Sequence, residues 1–157
     1  DPQSVRETLG VNLLGVMDGV AAVLPALLAQ GGRGEPAALA LVGSVAGYGG
    51  LPRAAVYGPS KAALINFAEA LHLDLAARGV SVFLISPGFV ATALTAANEF
   101  RMPALQTPQQ AAAAIVRGFA RGAFEIHFPR RFSLFLKALR LLPYSLYFAI
   151  VRKATGA

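Results

Sequence analysis

The 157-residue chain contains no cysteine, which excludes a disulfide framework and a thiolate metal site. Its two histidines, His72 and His127, are too few and too isolated for a zinc centre, so no metal is expected. Charge is also scarce: Asp, Glu, Lys and Arg make up 14% of the residues, against 55% apolar. That balance excludes disorder for most of the chain, and the length suffices for one domain with a real core. No basic amino-terminal stretch precedes an apolar run, so no signal peptide is expected. The sequence opens at Asp1 without an initiator methionine, the pattern of a fragment or a processed product. A reducing cytoplasm fits the lack of cysteine.

Helical and strand patterns alternate along the chain. Asp1-Pro2 reads as an N-cap with proline at the first helical position. Apolar residues then recur at helical spacing through Val5, Leu9, Leu13, Val16, Val20, Val23 and Leu27, predicting one helix over 2–30 that ends at Gly31-Gly32. Ala37 to Val42 is a continuous apolar run, the pattern of a strand covered on both faces. A glycine-rich loop follows from Gly43 to Pro52, then a helix over 56–78 closed by Gly79. Val80 to Ile85 predicts a second buried strand, stopped by Ser86-Pro87-Gly88. Phe89 to Gln106 reads as a loop with one helical turn. Thr107-Pro108-Gln109-Gln110 is a capping box that starts a helix to about Arg121. Phe124 to Phe128 predicts a third strand. Helices alternating with buried strands imply an α/β fold with a parallel sheet.

The chemistry concentrates in three residues. Tyr57 and Lys61 stand four apart and share a helix face, and Ser44 follows the first strand. A free tyrosine has a pKa of about 10 and stays protonated near neutral pH. A lysine ammonium a few ångströms away favours the phenolate and draws that pKa toward working pH. A serine hydroxyl nearby could hold a carbonyl or hydroxyl against the phenol. Each residue also has a plainer reading. Tyr57 could bury its ring and wet its hydroxyl, Lys61 could be a solvated helix lysine, and Ser44 could serve only as a turn residue.

With two further segments these residues resemble the carboxyl-terminal half of a short-chain dehydrogenase/reductase. The resemblance covers about Ser4 to Phe128. It rests on Val11-Asn12-Leu13-Leu14-Gly15, Ser44, Tyr57-x-x-x-Lys61 and Pro87-Gly88-x-Val90-x-Thr92. Any one of these arises often by chance; four in the family's order, each at the matching element boundary, form a specific pattern. The resemblance implies a Rossmann-like parallel sheet with flanking helices, present here as about three strands of the usual seven. It implies an oxidoreductase that moves hydride between NAD or NADP and an alcohol or carbonyl substrate. In that family the tyrosine, here Tyr57, is the general acid/base. Lys61 would tune it and bind the nicotinamide ribose, and Ser44 would hold the substrate oxygen. Asn12 would steady the helix bend and a water feeding a proton relay to Lys61. Pro87, Gly88, Val90 and Thr92 would meet the nicotinamide, with the Val90 backbone and Thr92 hydroxyl on its carboxamide. A plain Pro-Gly turn is the alternative for that last segment.

One decoy is rejected. Gly43-Ser44-Val45-Ala46-Gly47-Tyr48-Gly49 has the spacing of a dinucleotide phosphate loop. Such a loop opens directly into a helix, whereas Gly50, Leu51 and Pro52 intervene here. The family's own glycine loop belongs to its first strand–helix turn, which this chain lacks. The chain alone is therefore expected to bind dinucleotide poorly, and its first strand to leave an open edge.

The net charge of +6 gathers toward the carboxyl end, interleaved with Phe and Leu, which favours a membrane surface over nucleic acid. Arg130 to Leu142 reads as a basic amphipathic helix. Pro143 interrupts it, and Tyr144 to Val151 adds an apolar stretch. Lys137 and Arg140 within the span argue against a transmembrane helix and leave two readings for residues 130–153. One is peripheral membrane contact; the other is packing over the substrate cleft or a neighbouring subunit. The sequence thus divides at 1–129, the dehydrogenase-like part, and 130–157, the tail. An apolar segment, Ala93 to Leu105, would form a substrate lid and favour an apolar substrate. Helices 2–30 and 56–78 resemble those with which the family builds homo-oligomers. A competing reading is a catalytically incomplete fragment or membrane-associated scaffold that retains the half-site.

Overall fold

The computed structural model describes residues 1–96 and 102–156. The predicted first helix is continuous in course but not in type. α1 (Pro2–Leu9) starts on the Asp1 carboxylate, which accepts from the Gln3 and Ser4 amides. A π-helical turn, Gly10–Leu14, carries Asn12, and α2 (Gly15–Gly32) follows. A π turn inserts one extra residue into the ladder, a change the apolar spacing does not reveal. Pro2–Gly32 is long and apolar enough to span a bilayer, with hydropathy 1.9 in its best window. Val16, Val20, Leu24, Leu27 and Leu28 pack on the core, while Val11, Leu14, Met17 and Val23 stay exposed.

Three parallel strands form one sheet in the order β1 (Ala37–Val42), β2 (Val80–Pro87), β3 (Glu125–Phe128). The register pairs Val42 with Ile85 and Pro87 with Phe128, so the carboxyl ends of neighbouring strands lie side by side. α3 (Tyr57–Leu75) and α2 cover one face, closing Val20, Leu41, Leu64, Ala68 and Leu84 into a buried cluster. α5 (Pro108–Ala120) covers the other face through Ala111 against Ile85 and Ile126. Its capping box forms as the sequence predicts, between Thr107 and Gln110. α2 and the turn after α3 approach so closely that a Cβ on Gly31 would stand 2.6 Å from the Arg78 carbonyl oxygen. Gly79 there has φ +73°, a conformation glycine adopts without strain.

One strand departs from expectation. β1 buries Ala37 and Leu41 but exposes Ala38, Ala40 and Val42. The run of apolar residues predicted cover on both faces. α5 reaches only β2 and β3, so the second face of β1 is bare, and β1 is an edge strand.

After α4 (Ala93–Ala96) and β3, the tail forms α6 (Arg130–Leu139) and α7 (Tyr144–Thr155), separated at Pro143 as the sequence indicates. Both helices fold back on the body. Leu139, Tyr147 and Val151 bury together against Leu51, and the Tyr147 hydroxyl donates to the Gly50 carbonyl at 2.8 Å.

Candidate active site

Ser44 sits where β1 ends, extended and 8% exposed. Its Oγ accepts from the Ala46 amide at 3.1 Å and caps the one-turn helix Val45–Gly47. The turn role is thus filled, while among the described residues the Ser44 hydroxyl donates to no protein group. Gly47 then runs along α3. A Cβ there would stand 2.7 Å from the Lys61 carbonyl carbon and 2.8 Å from the Ala62 nitrogen. Only glycine permits that approach, which seats the serine loop on the helix turn bearing the other two groups.

Tyr57 opens α3 and is 43% exposed. The Lys61 Nζ donates to the Val42 carbonyl at 3.0 Å and lies 5.7 Å from the centre of the Tyr57 ring. Burial pushes the Lys61 ammonium below its ordinary pKa, because a charge leaving water is disfavoured. Neither ion pair among the described residues involves Lys61. Its charge is thus held between a strand-end carbonyl and a tyrosine ring, uncancelled by a carboxylate.

Asn12 reaches this turn from the π-helical segment. Its Nδ2 donates to the Ser60 Oγ at 3.3 Å. Ser60 is fully buried and donates to the Tyr57 carbonyl at 2.7 Å. The structure therefore brings Asn12 to the residue between Tyr57 and Lys61, through Ser60. Sequence reasoning missed Ser60. A serine within α3 was the available signal, since it competes poorly inside a helix unless its hydroxyl is satisfied.

Pro87, Gly88, Val90 and Thr92 leave β2 at the same end of the sheet. The Gly43 amide donates to Ile85 at 2.7 Å, tying the two strand ends together. The Gly88 amide donates to the Phe128 carbonyl, and Val90 pairs with Gln106 in a parallel bridge. Thr95, also missed, closes the turn. Its hydroxyl donates to the Val90 carbonyl at 2.6 Å and accepts from the Thr92 amide at 2.9 Å. A shallow depression of about 350 Å³ lies beside it, lined by Thr92, Ala93, Ala96, Met102 and Leu105. Of the expected lid Ala93 to Leu105, residues 97–101 lie outside the described residues.

A second polar cluster joins the tail to the sheet. The Tyr48 hydroxyl donates to Glu125 at 2.5 Å, and the Lys137 ammonium pairs with the other Glu125 oxygen. Burial pushes the Glu125 carboxyl up, but hydrogen bonds from Lys137 and Tyr48 outweigh it and hold the group below its usual range. Burial and the Glu125 carboxylate raise the Tyr48 phenol well above its ordinary value. Ser86 Oγ is buried beside both, without a hydrogen bond of good geometry. His127 Nδ1 lies 2.6 Å from the Ser133 Oγ. Burial and the nearby Lys137 charge lower its pKa.

Fold and site together define an α/β protein of Rossmann type with a serine, a tyrosine and a lysine gathered at the carboxyl ends of parallel strands. The family model for short chain dehydrogenases matches residues 1–102. An uncharacterized oxidoreductase of Myxococcus xanthus (strain DK1622) is 37% identical over 151 residues, aligning with 96% of this chain and 58% of that protein. A short chain dehydrogenase from Burkholderia cenocepacia J2315, solved with NADP, superimposes with a TM-score of 0.81 at 24% identity, over 96% of this chain and 60% of that one. A short chain dehydrogenase/reductase from Burkholderia phymatum, solved with NAD, gives 0.71 at 24% identity, over 82% and 54%. The chain belongs to the short chain dehydrogenase family. It spans less than two thirds of the length of these relatives.

Proposed function

We propose that the chain supplies the proton-handling half of an oxidoreductase that interconverts an alcohol and a carbonyl compound. The observation that carries this reading is the Lys61 ammonium, fixed by the Val42 carbonyl 5.7 Å from the Tyr57 ring with no carboxylate bound to it. A cation on the same helix turn would stabilise negative charge arising on the phenol oxygen during proton transfer. Tyr57, partly exposed, would give a proton to the substrate oxygen in reduction and take it back in oxidation. The Ser44 hydroxyl, with its hydrogen uncommitted to protein, would orient that oxygen. Asn12 acts at one remove: through Ser60 it fixes the α3 turn on which Tyr57 and Lys61 sit.

The residues present fit the nicotinamide end of a dinucleotide, NAD or NADP. Lys61 keeps ammonium hydrogens beyond the one given to Val42, Pro87 and Gly88 shape the strand exit, and Val90 and Thr92 offer amide-complementary groups. A bound nicotinamide would supply the hydride acceptor or donor. No described residue makes a glycine loop opening into a helix, so the described residues offer no cradle for the phosphates. The apolar lining beside Thr92 supports an apolar substrate. Exposed Val11, Leu14, Met17, Val23 and Leu73 support homo-oligomerisation through helices 2–30 and 56–78, and a cytoplasmic location completes the reading.

The open edge of β1 favours a second reading, a catalytically incomplete fragment that keeps the half-site. Joining the chain to an amino-terminal half bearing a glycine-rich loop separates the two. The oxidoreductase reading expects nicotinamide-dependent turnover that falls at least about 100-fold in Tyr57→Phe. No turnover, or turnover indifferent to that change, supports the fragment. The chain by itself should bind NAD(P)H more weakly than micromolar.

A further inference from the structure

Six of the fourteen basic residues and none of the eight acidic ones follow Glu125, so the entire net charge of +6 resides in the tail. Lys137 is spent on Glu125, while Arg130, Arg131, Arg140, Arg152 and Lys153 are exposed and form no ion pair with a described carboxylate. The inner side of the tail buries Ser133, Leu139, Tyr147 and Val151. The outer side is not simply polar. Arg131, Leu134, Phe135, Ala138 and Leu141 recur three or four residues apart, which places them on one helix face and its continuation. All are exposed, Leu134 by 48%, Phe135 by 51% and Leu141 by 87%. Tyr144 and Phe148 extend the apolar surface as an exposed stacked pair.

We propose that this outer face of α6 and α7 docks on an anionic phospholipid bilayer, lying in its interface. Large side chains bared to solvent beside uncompensated cations match a surface whose headgroups are negative and whose next layer is apolar. Nucleic acid would use the cations and leave Leu141 and Phe135 in water. At ten and twelve residues, α6 and α7 are too short to cross a bilayer, which needs about twenty. This proposal does not depend on the proton chemistry. The docked helices do back onto the serine-bearing loop through the Tyr147–Gly50 hydrogen bond.

Co-sedimentation of the full chain with vesicles tests it. Phosphatidylcholine alone is compared with an equal mixture of phosphatidylcholine and phosphatidylglycerol, at low and high salt. Binding to the mixture should exceed binding to phosphatidylcholine at least tenfold and weaken with salt. Arg131→Gln and Arg152→Gln should each cut partitioning about fivefold. Leu141→Ser, at a position too exposed to matter for folding, should weaken it further, with an unchanged thermal melt confirming the fold. Equal binding to both vesicle types, or full binding in the folded variants, overturns the proposal. So does a concentration-dependent dimer that Leu141→Ser dissociates while vesicle binding stays absent, since the face would then belong to a second copy.

Discussion

Among the described residues two tyrosine–lysine pairs form, and they have opposite characters. Lys61 lies 5.7 Å from the Tyr57 ring, and Lys137 lies 5.3 Å from the Tyr48 ring. Distance to the ring hardly separates them. What separates them is a carboxylate. Beside Tyr48, Glu125 accepts from both partners, neutralising the lysine and holding the phenol protonated. Beside Tyr57, the lysine meets, among the described residues, the Val42 carbonyl and no carboxylate, so its ammonium is oriented without its charge being cancelled. The tyrosines also differ in exposure: Tyr48 is half-buried, whereas Tyr57 is 43% exposed. The Tyr48–Lys137 pair is thus closed by a carboxylate, while the Tyr57–Lys61 pair keeps an uncancelled ammonium, the arrangement on which the proposed proton-handling role rests.

The contrast can be broken from either side. The largest effect is expected at the open pair. Lys61→Met, in the chain joined to an amino-terminal half, should lower turnover at least about 100-fold and barely move the melting temperature. At the closed pair, Glu125→Gln should cost about 2 kcal/mol in chemical denaturation, because Lys137 and Tyr48 lose a charged acceptor. The same cluster sets an acid response. Folding holds His127 below its ordinary pKa, so the unfolded chain takes that proton first, and stability falls as pH drops through about 6.5. Glu125, also held low, contributes stability above its ordinary carboxylate pKa that is lost as pH falls through its lower folded value. An acid melt should therefore show two stages, and Glu125→Gln should remove the lower one. Asn12→Ala should have the smallest effect, about 1 kcal/mol, with a fall in turnover that Asn12→Ser partly restores. A fall as large as that of Lys61→Met would give Asn12 a direct chemical role.

Much of the architecture was legible because it rests on local rules. The Asp1 cap, the Thr107–Gln110 capping box, the Gly79 stop and the break at Pro143 each involve residues close in sequence, and each appears where expected. Helix spacing made it legible that Tyr57 and Lys61 share a turn and that Ser44 follows a strand, while their chemical roles come from the family resemblance alone. Other features were not local. Tyr48 and Glu125 are 77 residues apart, and Asn12 meets Ser60 across 48. No periodicity reports such pairings. The π turn escaped because α and π ladders differ by a single residue. The bare face of β1 escaped because an apolar run shows that a face can be buried, while whether it is buried depends on what packs there.

The two tyrosines give the most direct test of the central distinction. Turnover and melting temperature should be measured for Tyr57→Phe and Tyr48→Phe in the chain joined to an amino-terminal half. Tyr57→Phe is expected to lose at least about 100-fold in turnover with an unchanged melt. Tyr48→Phe should lower the melt by roughly 1–3 kcal/mol of stability with turnover within a few-fold. The reverse pattern, or equal losses of turnover in both variants, would contradict it.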